Sequence, residues 1–250
     1  MFIDVHCHID FYKDKEIKEI VERARKNRVG IIVNNGINPE TNRRTLELAE
    51  EYNEIKAALG IYPIDALKMS DSEIDSEIDF IRENKNDVAA IGEVGIDLKE
   101  SQDLEKQKEN FQKFIDLSIE LNKPIIVHSR KAELECIEML EKAGAKKVIM
   151  HVFSGKFALL KRIEENGWYV TVPTNSKYSE QFQIIAEKIK IKNLLCETDS
   201  PFMHPEKERN NEPKNIIESY RKIAQLKDLD MKDVEKEIES NYKNLFGKGL

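Results

Sequence analysis

Short apolar runs alternate with amphipathic stretches eight times along this 250-residue chain, and that alternation narrows the possible folds more than any other feature. The runs are Phe2 to Val5, Val29 to Val33, Ile55 to Leu59, Val88 to Glu93, Pro124 to His128, Val148 to His151, Trp168 to Val172 and Leu194 to Glu197. Their length and β-branched content predict strands. Helical spacing follows each one. After the first, Ile17, Ile20, Val21 and Ala24 recur at i, i+3, i+4 and i+7. Asn34-Asn35-Gly36 reads as a turn after the second strand, and Pro39 sits favourably in a first helical turn. Ser70-Asp71-Ser72-Glu73 opens a helix to Glu83 as a capping box, and Gly144 stops another after Ala143. Longer helices are expected from about Gln102 to Leu121, Glu212 to Gln225 and Lys232 to Phe246.

Eight strand–helix units in this length fit one α/β domain over residues 1–250, a (β/α)8 or TIM barrel. No Pro/Gly/Ser-rich linker divides it. An open, doubly wound sheet has the same alternation. The chemistry-bearing residues separate the two folds, because they stand at the ends of the first, fourth, fifth, sixth and eighth strands. Only a closed ring brings ends so far apart in strand order to one mouth.

Four of the chain's five histidines lie at those ends. His6 and His8, two apart on a strand, share a face that Cys7 does not. Glu93 follows the apolar run Ala89-Ala90-Ile91, where an unpaired carboxylate would be costly. His128 and His151 close two consecutive apolar strands. Glu197 and Asp199 alternate after Leu194-Leu195-Cys196, with Asp199 read as a ligand and Glu197 as the residue that orients it or a histidine. Imidazole and carboxylate are the usual donors to transition-metal ions. Arg130 and Asp10, near the same mouth, are weaker candidates for substrate or supporting contacts. No phosphate-binding glycine loop, dinucleotide fingerprint or Gly-X-Ser-X-Gly elbow occurs.

Composition sets limits. The formal charge is −7, which argues against a surface that coats duplex nucleic acid. It leaves open an enzyme gripping one phosphodiester, since bound cations bring their own charge. No apolar run reaches the roughly 18 residues of a membrane span, and the opening residues do not read as a signal peptide. Three widely spaced cysteines suggest reduced thiols in a cytoplasmic protein; no membrane attachment is expected, and no obligate protein partner is evident.

Taken together, Asp-X-His-X-His, Gly-Glu-X-Gly-X-Asp, His-X-Arg, His-X-Phe-Ser-Gly and Glu-Thr-Asp-X-Pro, in this order, resemble the TatD family of metal-dependent deoxyribonucleases, one of the amidohydrolase-like barrels. The resemblance implies a metallo-dependent hydrolase barrel with two divalent cations (Zn, Mn, Co, Ni or Mg). It implies that His6, His8 and Asp199 hold one, that His128 and His151 hold the other, and that Glu93 bridges them. Glu93 and Asp199 would then be the catalytic carboxylates, Asp199 as proton acceptor. The implied reaction is phosphodiester hydrolysis, often 3′–5′ exonucleolytic, on single-stranded or frayed DNA ends. Hydrolysis of another ester or an amide, such as an aminoacyl-tRNA ester, is the alternative. The chain departs from the family pattern at Tyr62, where Gly-X-His-Pro is usual, at Leu98 after Asp97, and at Asn210 after Arg209, where glycine is usual. Tyr62 could stack on a terminal base or simply pack its loop, and Arg209 could touch substrate.

Overall fold

The computed structural model describes residues 1–207 and 210–247. Eight parallel strands pair in chain order: β1 (Phe2–Cys7), β2 (Val29–Asn35), β3 (Ile55–Leu59), β4 (Val88–Gly95), β5 (Ile125–His128), β6 (Val148–Met150), β7 (Tyr169–Pro173) and β8 (Leu194–Glu197). Between and after them run α1 (Asp14–Lys26), α2 (Pro39–Glu51), α3 (Pro63–Ala66), α4 (Asp71–Glu83), α5 (Leu104–Glu120), α6 (Glu133–Ala143), α7 (Ala158–Glu165), α8 (Glu180–Lys188), α9 (Ile217–Lys227) and α10 (Met231–Phe246).

The strands are buried on both faces, as their unbroken apolar runs require. Helices cover the outside through stripes such as Ile17, Ile20, Val21 and Ala24 of α1. The ring nearly closes on itself, which settles the choice against an open sheet. Past the strand ends, the Asp199 N–H donates to the His6 carbonyl at 3.0 Å and the His8 N–H to the Ser200 carbonyl at 2.8 Å. These two bonds stitch the β8 end to the β1 end at the mouth.

Several boundaries differ from the sequence reading. The expected turn residues Asn34 and Asn35 belong to β2, paired in register with Ala57 and Ala58. Interior partners satisfy the Asn34 amide: it donates to Thr45 at 2.7 Å and to Asp10 at 2.9 Å. Tertiary hydrogen bonding thus overrides a local turn preference. β4 continues past Glu93 to Gly95, and the short helix α3 was not anticipated. The segment read as one helix from Glu212 begins as a 3-10 turn, Pro213–Ile216, before α9.

Gly95 is required by its surroundings. Its φ of +144° is glycine territory, and a Cβ there would lie 1.9 Å from the His128 carbonyl oxygen. That clearance lets the end of β4 press against β5, bringing Glu93 beside His128.

Candidate metal centre

His6 and His8 point the same way, as their spacing requires. Their Nε2 atoms are 3.2 Å apart, while the Cys7 thiol faces the Val33 carbonyl on the other side. Opposite them, Glu93 divides its two oxygens. Oε2 lies 3.5 Å from His6 Nε2 and 3.4 Å from His8 Nε2. Oε1 lies 2.7 Å from His128 Nδ1 and 3.7 Å from His151 Nε2. Asp199 completes the ring, with Oδ1 3.6 Å from His6 Nε2 and 3.7 Å from His8 Nε2. A left-handed backbone at Asp199, φ +51°, departs from the strand direction just where this carboxylate joins the site.

All six side chains therefore meet at the C-terminal end of the ring, well within the width of one helix. Two sets have donor atoms close enough to hold a metal ion: His6, His8 and Asp199, and His6, Glu93 and His151. His128 belongs to neither set. It sits between two carboxylates, Glu93 on Nδ1 and Asp97 Oδ2 on Nε2 at 2.8 Å.

Outer contacts fix the rings. His8 Nδ1 donates to the Asn35 carbonyl at 2.9 Å, which keeps Nε2 free to face the cluster. Glu197 holds His151 Nδ1 at 2.8 Å and also accepts from the Val152 N–H at 3.1 Å and the Thr171 hydroxyl at 2.7 Å. Of the two roles read for Glu197, orienting a histidine is the one its contacts match. His6 Nδ1 is buried with no hydrogen-bond partner among the described residues. Asp4 anchors the Asp199 loop from below, accepting the Thr198 N–H at 2.9 Å and the Thr198 hydroxyl.

Burial and crowding set the protonation of the metal-free site. Burial pushes Asp199 up to about 7 and Asp4 up to about 8. Burial, reinforced by the His151 ring, drives His6 down to about 3. Burial also opposes charge on His8 and His128, yet Glu93, Asp199 and Asp10 around the first, and Asp97 and Glu93 around the second, raise both to about 9. Glu93, despite its burial, is held well below the carboxylate range by hydrogen bonds from His128, His6 and His8.

The remaining candidates are spread around this core. The Tyr62 hydroxyl donates to Asp97 Oδ2 at 2.7 Å, and its ring lies edge-on to His128. Asp10 is turned toward Asn34, with its other oxygen buried and unpartnered among the described residues. Arg130 is exposed at the rim, 3.5 Å from Glu100. Arg209 lies outside the described residues. Asp97, Asp4, Asn35 and Thr171 were not selected from sequence. Asp97 stood in the Gly-Glu-X-Gly-X-Asp motif, and Asp4 alternates with His6 and His8, so both carried a signal. Asn35 acts through its carbonyl and carried none.

An inward-facing ring of imidazoles and carboxylates at the mouth of a parallel barrel defines a metal-dependent hydrolase centre. The model of the TatD related DNase family matches residues 3–247, and the chain belongs to that family. It is 34% identical to an uncharacterized metal-dependent hydrolase of Methanocaldococcus jannaschii, over 100% of this chain and 98% of that protein. It is 31% identical to the human deoxyribonuclease TATDN3, over 98% of this chain and 94% of that one. A solved TatD homologue from Escherichia coli superposes with a TM-score of 0.93 at 26% identity, covering 99% of this chain and 98% of that one.

Proposed function

We propose that this protein is a divalent-cation-dependent deoxyribonuclease that removes nucleotides from the 3′ end of single-stranded or frayed DNA. The observation that carries the reading is the division of Glu93, one oxygen toward His6 and His8 and the other toward His128 and His151. A carboxylate shared between two cation positions would need such a division. The donors fit such ions: buried nitrogen and oxygen atoms converge 3.2 to 3.7 Å apart, and among the described residues no lysine or arginine pairs with them. Nitrogen-rich donors suit Zn, Mn, Co or Ni better than Mg, which prefers oxygen. When bound, two such ions would supply a water of lowered pKa and positive charge facing the phosphoryl oxygens.

The chain's own residues would do the rest. Asp199, whose carboxylate reaches into the same cluster beside His6 and His8, would take the proton from the attacking water. Asn35 and Glu197 hold His8 and His151 in the tautomer that offers Nε2 to the site. The Tyr62–Asp97 pair fixes the His128 ring. Net charge supports a strand end over duplex: a balance of −7 argues against a broad phosphate-binding face. The human relative is named a deoxyribonuclease, which agrees with this substrate. Among the described residues no helix is long and apolar enough to cross a membrane, and all three cysteines are free and buried. A cytoplasmic site of action fits both facts.

The test compares linear single-stranded DNA with a covalently closed single-stranded circle, using protein reconstituted with Mn2+ or Zn2+. The linear strand should shorten stepwise from its 3′ end while the circle persists. Equal loss of the circle refutes end-directed action. A fully metallated protein that cleaves neither would reassign the centre to a non-nucleic ester or an amide.

A further inference from the structure

Four aromatic side chains among the described residues are about two-fifths exposed or more: Phe11 (44%), Phe157 (42%), Tyr178 (41%) and Phe202 (52%). All four sit on the connections that leave the C-terminal ends of strands, following β1, β6, β7 and β8. These strands are consecutive around the ring, so the aromatics form an arc on one side of the mouth. None is at the opposite end of the barrel. Exposed phenylalanine loses the favourable transfer out of water without gaining packing, and a cluster of such rings at one rim marks a binding surface.

Two of them adjoin the metal centre. Phe11 lies nearly parallel to the His8 ring, 5.0 Å between centroids and 19° between planes. Phe202 stands edge-on to both, 6.4 Å from His8 and 6.3 Å from Phe11 at 87°. His8 covers one face of Phe11, and Phe202 forms a wall at right angles. Phe11 and Phe202, both well exposed, thus meet at right angles beside His8, one ring away from donors to the proposed ions. Farther along, the Lys207 ammonium sits 4.7 Å over the Tyr178 ring. The Lys177–Glu206 ion pair and the Thr174 hydroxyl donating to the Met203 carbonyl bind the β7 and β8 loops together.

We infer that Phe11 and Phe202 form a stacking seat for the terminal base of a single nucleic-acid strand, with Tyr178 and Lys207 continuing the strand's path outward. The inference rests on the nuclease reading and specifies how that substrate is held. Three features select a nucleobase over an aliphatic or protein partner. The seat is planar, it lies 5.0 Å from the His8 ring of the site, and the arc mixes rings with a cation, the combination that binds single strands without reading sequence. A base stacked on Phe11 would set its own sugar–phosphate linkage beside His8, Glu93 and Asp199.

The experiment uses Zn2+-reconstituted protein and an oligonucleotide with 2-aminopurine as its 3′-terminal base and phosphorothioate final linkages that resist cleavage. Stacking quenches 2-aminopurine, so binding and seating are read without turnover. Wild-type protein should quench it. Phe11→Leu and Phe202→Leu, which keep an exposed apolar side chain and so remain folded, should lose most of the quench and bind about tenfold more weakly, or ~1.4 kcal/mol. Phe11→Tyr should restore both. A 3′-terminal abasic oligonucleotide should bind wild type about tenfold more weakly but bind the leucine variants no worse than the intact strand does. If the wild type binds and cleaves linear strands while the leucine variants quench and bind as it does, the seat is refuted and the nuclease reading stands. A wild type that neither binds nor cleaves any linear strand overturns both.

Discussion

Glu197→Gln replaces one oxygen by an amine on a fully buried side chain and leaves its shape intact. Three donors converge on this carboxylate: the Val152 N–H, the Thr171 hydroxyl and His151 Nδ1. Glutamine can accept on one side only. If its carbonyl serves Val152 and Thr171, its amine meets His151 Nδ1, which must then accept. The His151 proton moves to Nε2, the atom 3.7 Å from Glu93 Oε1, where a cation needs a lone pair. If the amide flips, its amine is set against the Val152 N–H. A buried donor left without a partner costs about 1–3 kcal/mol, and loss of a carboxylate that orients a metal-bound histidine typically lowers metal affinity ~10–100-fold. Zn2+ affinity, measured by competition with a chromogenic chelator, should therefore fall by about that factor, with activity recovering as Zn2+ is raised. Thr171→Val, which removes one of three donors and no charge, should have a smaller effect. A Glu197→Gln protein that binds Zn2+ within about twofold of wild type would refute the tautomer argument.

Other outcomes follow from the same geometry. Glu93→Ala should lose most activity and at least one ion by elemental analysis, whereas Cys7→Ala, on the far face of β1, should change neither. In metal-free protein His8 and His128 have pKa values of about 9, above the ordinary 6.5. Their stabilisation is complete below about pH 6.5 and disappears as pH rises through 9, so the melting temperature of chelated protein should fall across that window and that of metallated protein much less. A flat profile for the chelated protein would contradict the assignment. Metal uptake at pH 7 should release protons, visible as buffer-dependent titration heats. Tyr62→Phe, which removes one hydrogen bond to Asp97, should lower kcat/KM on linear DNA about two- to tenfold. The factor should be equal for intact and 3′-abasic strands; a larger loss on the intact strand would mean that Tyr62 stacks on the base.

The barrel was legible because burial on both faces makes every strand an apolar run, and because each run ends where its helix pattern begins. The residues that meet at the mouth were legible for a related reason: a histidine or glutamate that ends such a run has few partners available other than another strand end. Residues that act through backbone atoms leave no such mark. The Asn35 carbonyl that anchors His8 could belong to any amino acid, and the side chain's own turn preference pointed to the wrong element. Phe11 and Phe202 had no periodic context, and only the fold, by placing residues from opposite ends of the chain 6.3 Å apart, makes them a pair. Tyr62 reads equally well as a stacking ring or as packing, and the sequence carries no sign that its hydroxyl bonds Asp97.

The stitch between β8 and β1 also determines when the site can exist. His6 and His8 emerge early in the chain and Asp199 late, and the neighbouring tie from Asp4 to Thr198 spans 194 positions. Bringing together residues so distant in sequence carries a loop-closure cost that the contacts of the intervening chain lower as they form. A partly made or partly folded chain thus carries histidines without their aspartate and cannot assemble the hydrolytic centre. A cation held by His6, His8 and Asp199 would in turn act as a clasp on the joint between the first and last strands, so that the ion proposed to make the protein active also locks the barrel's two ends together.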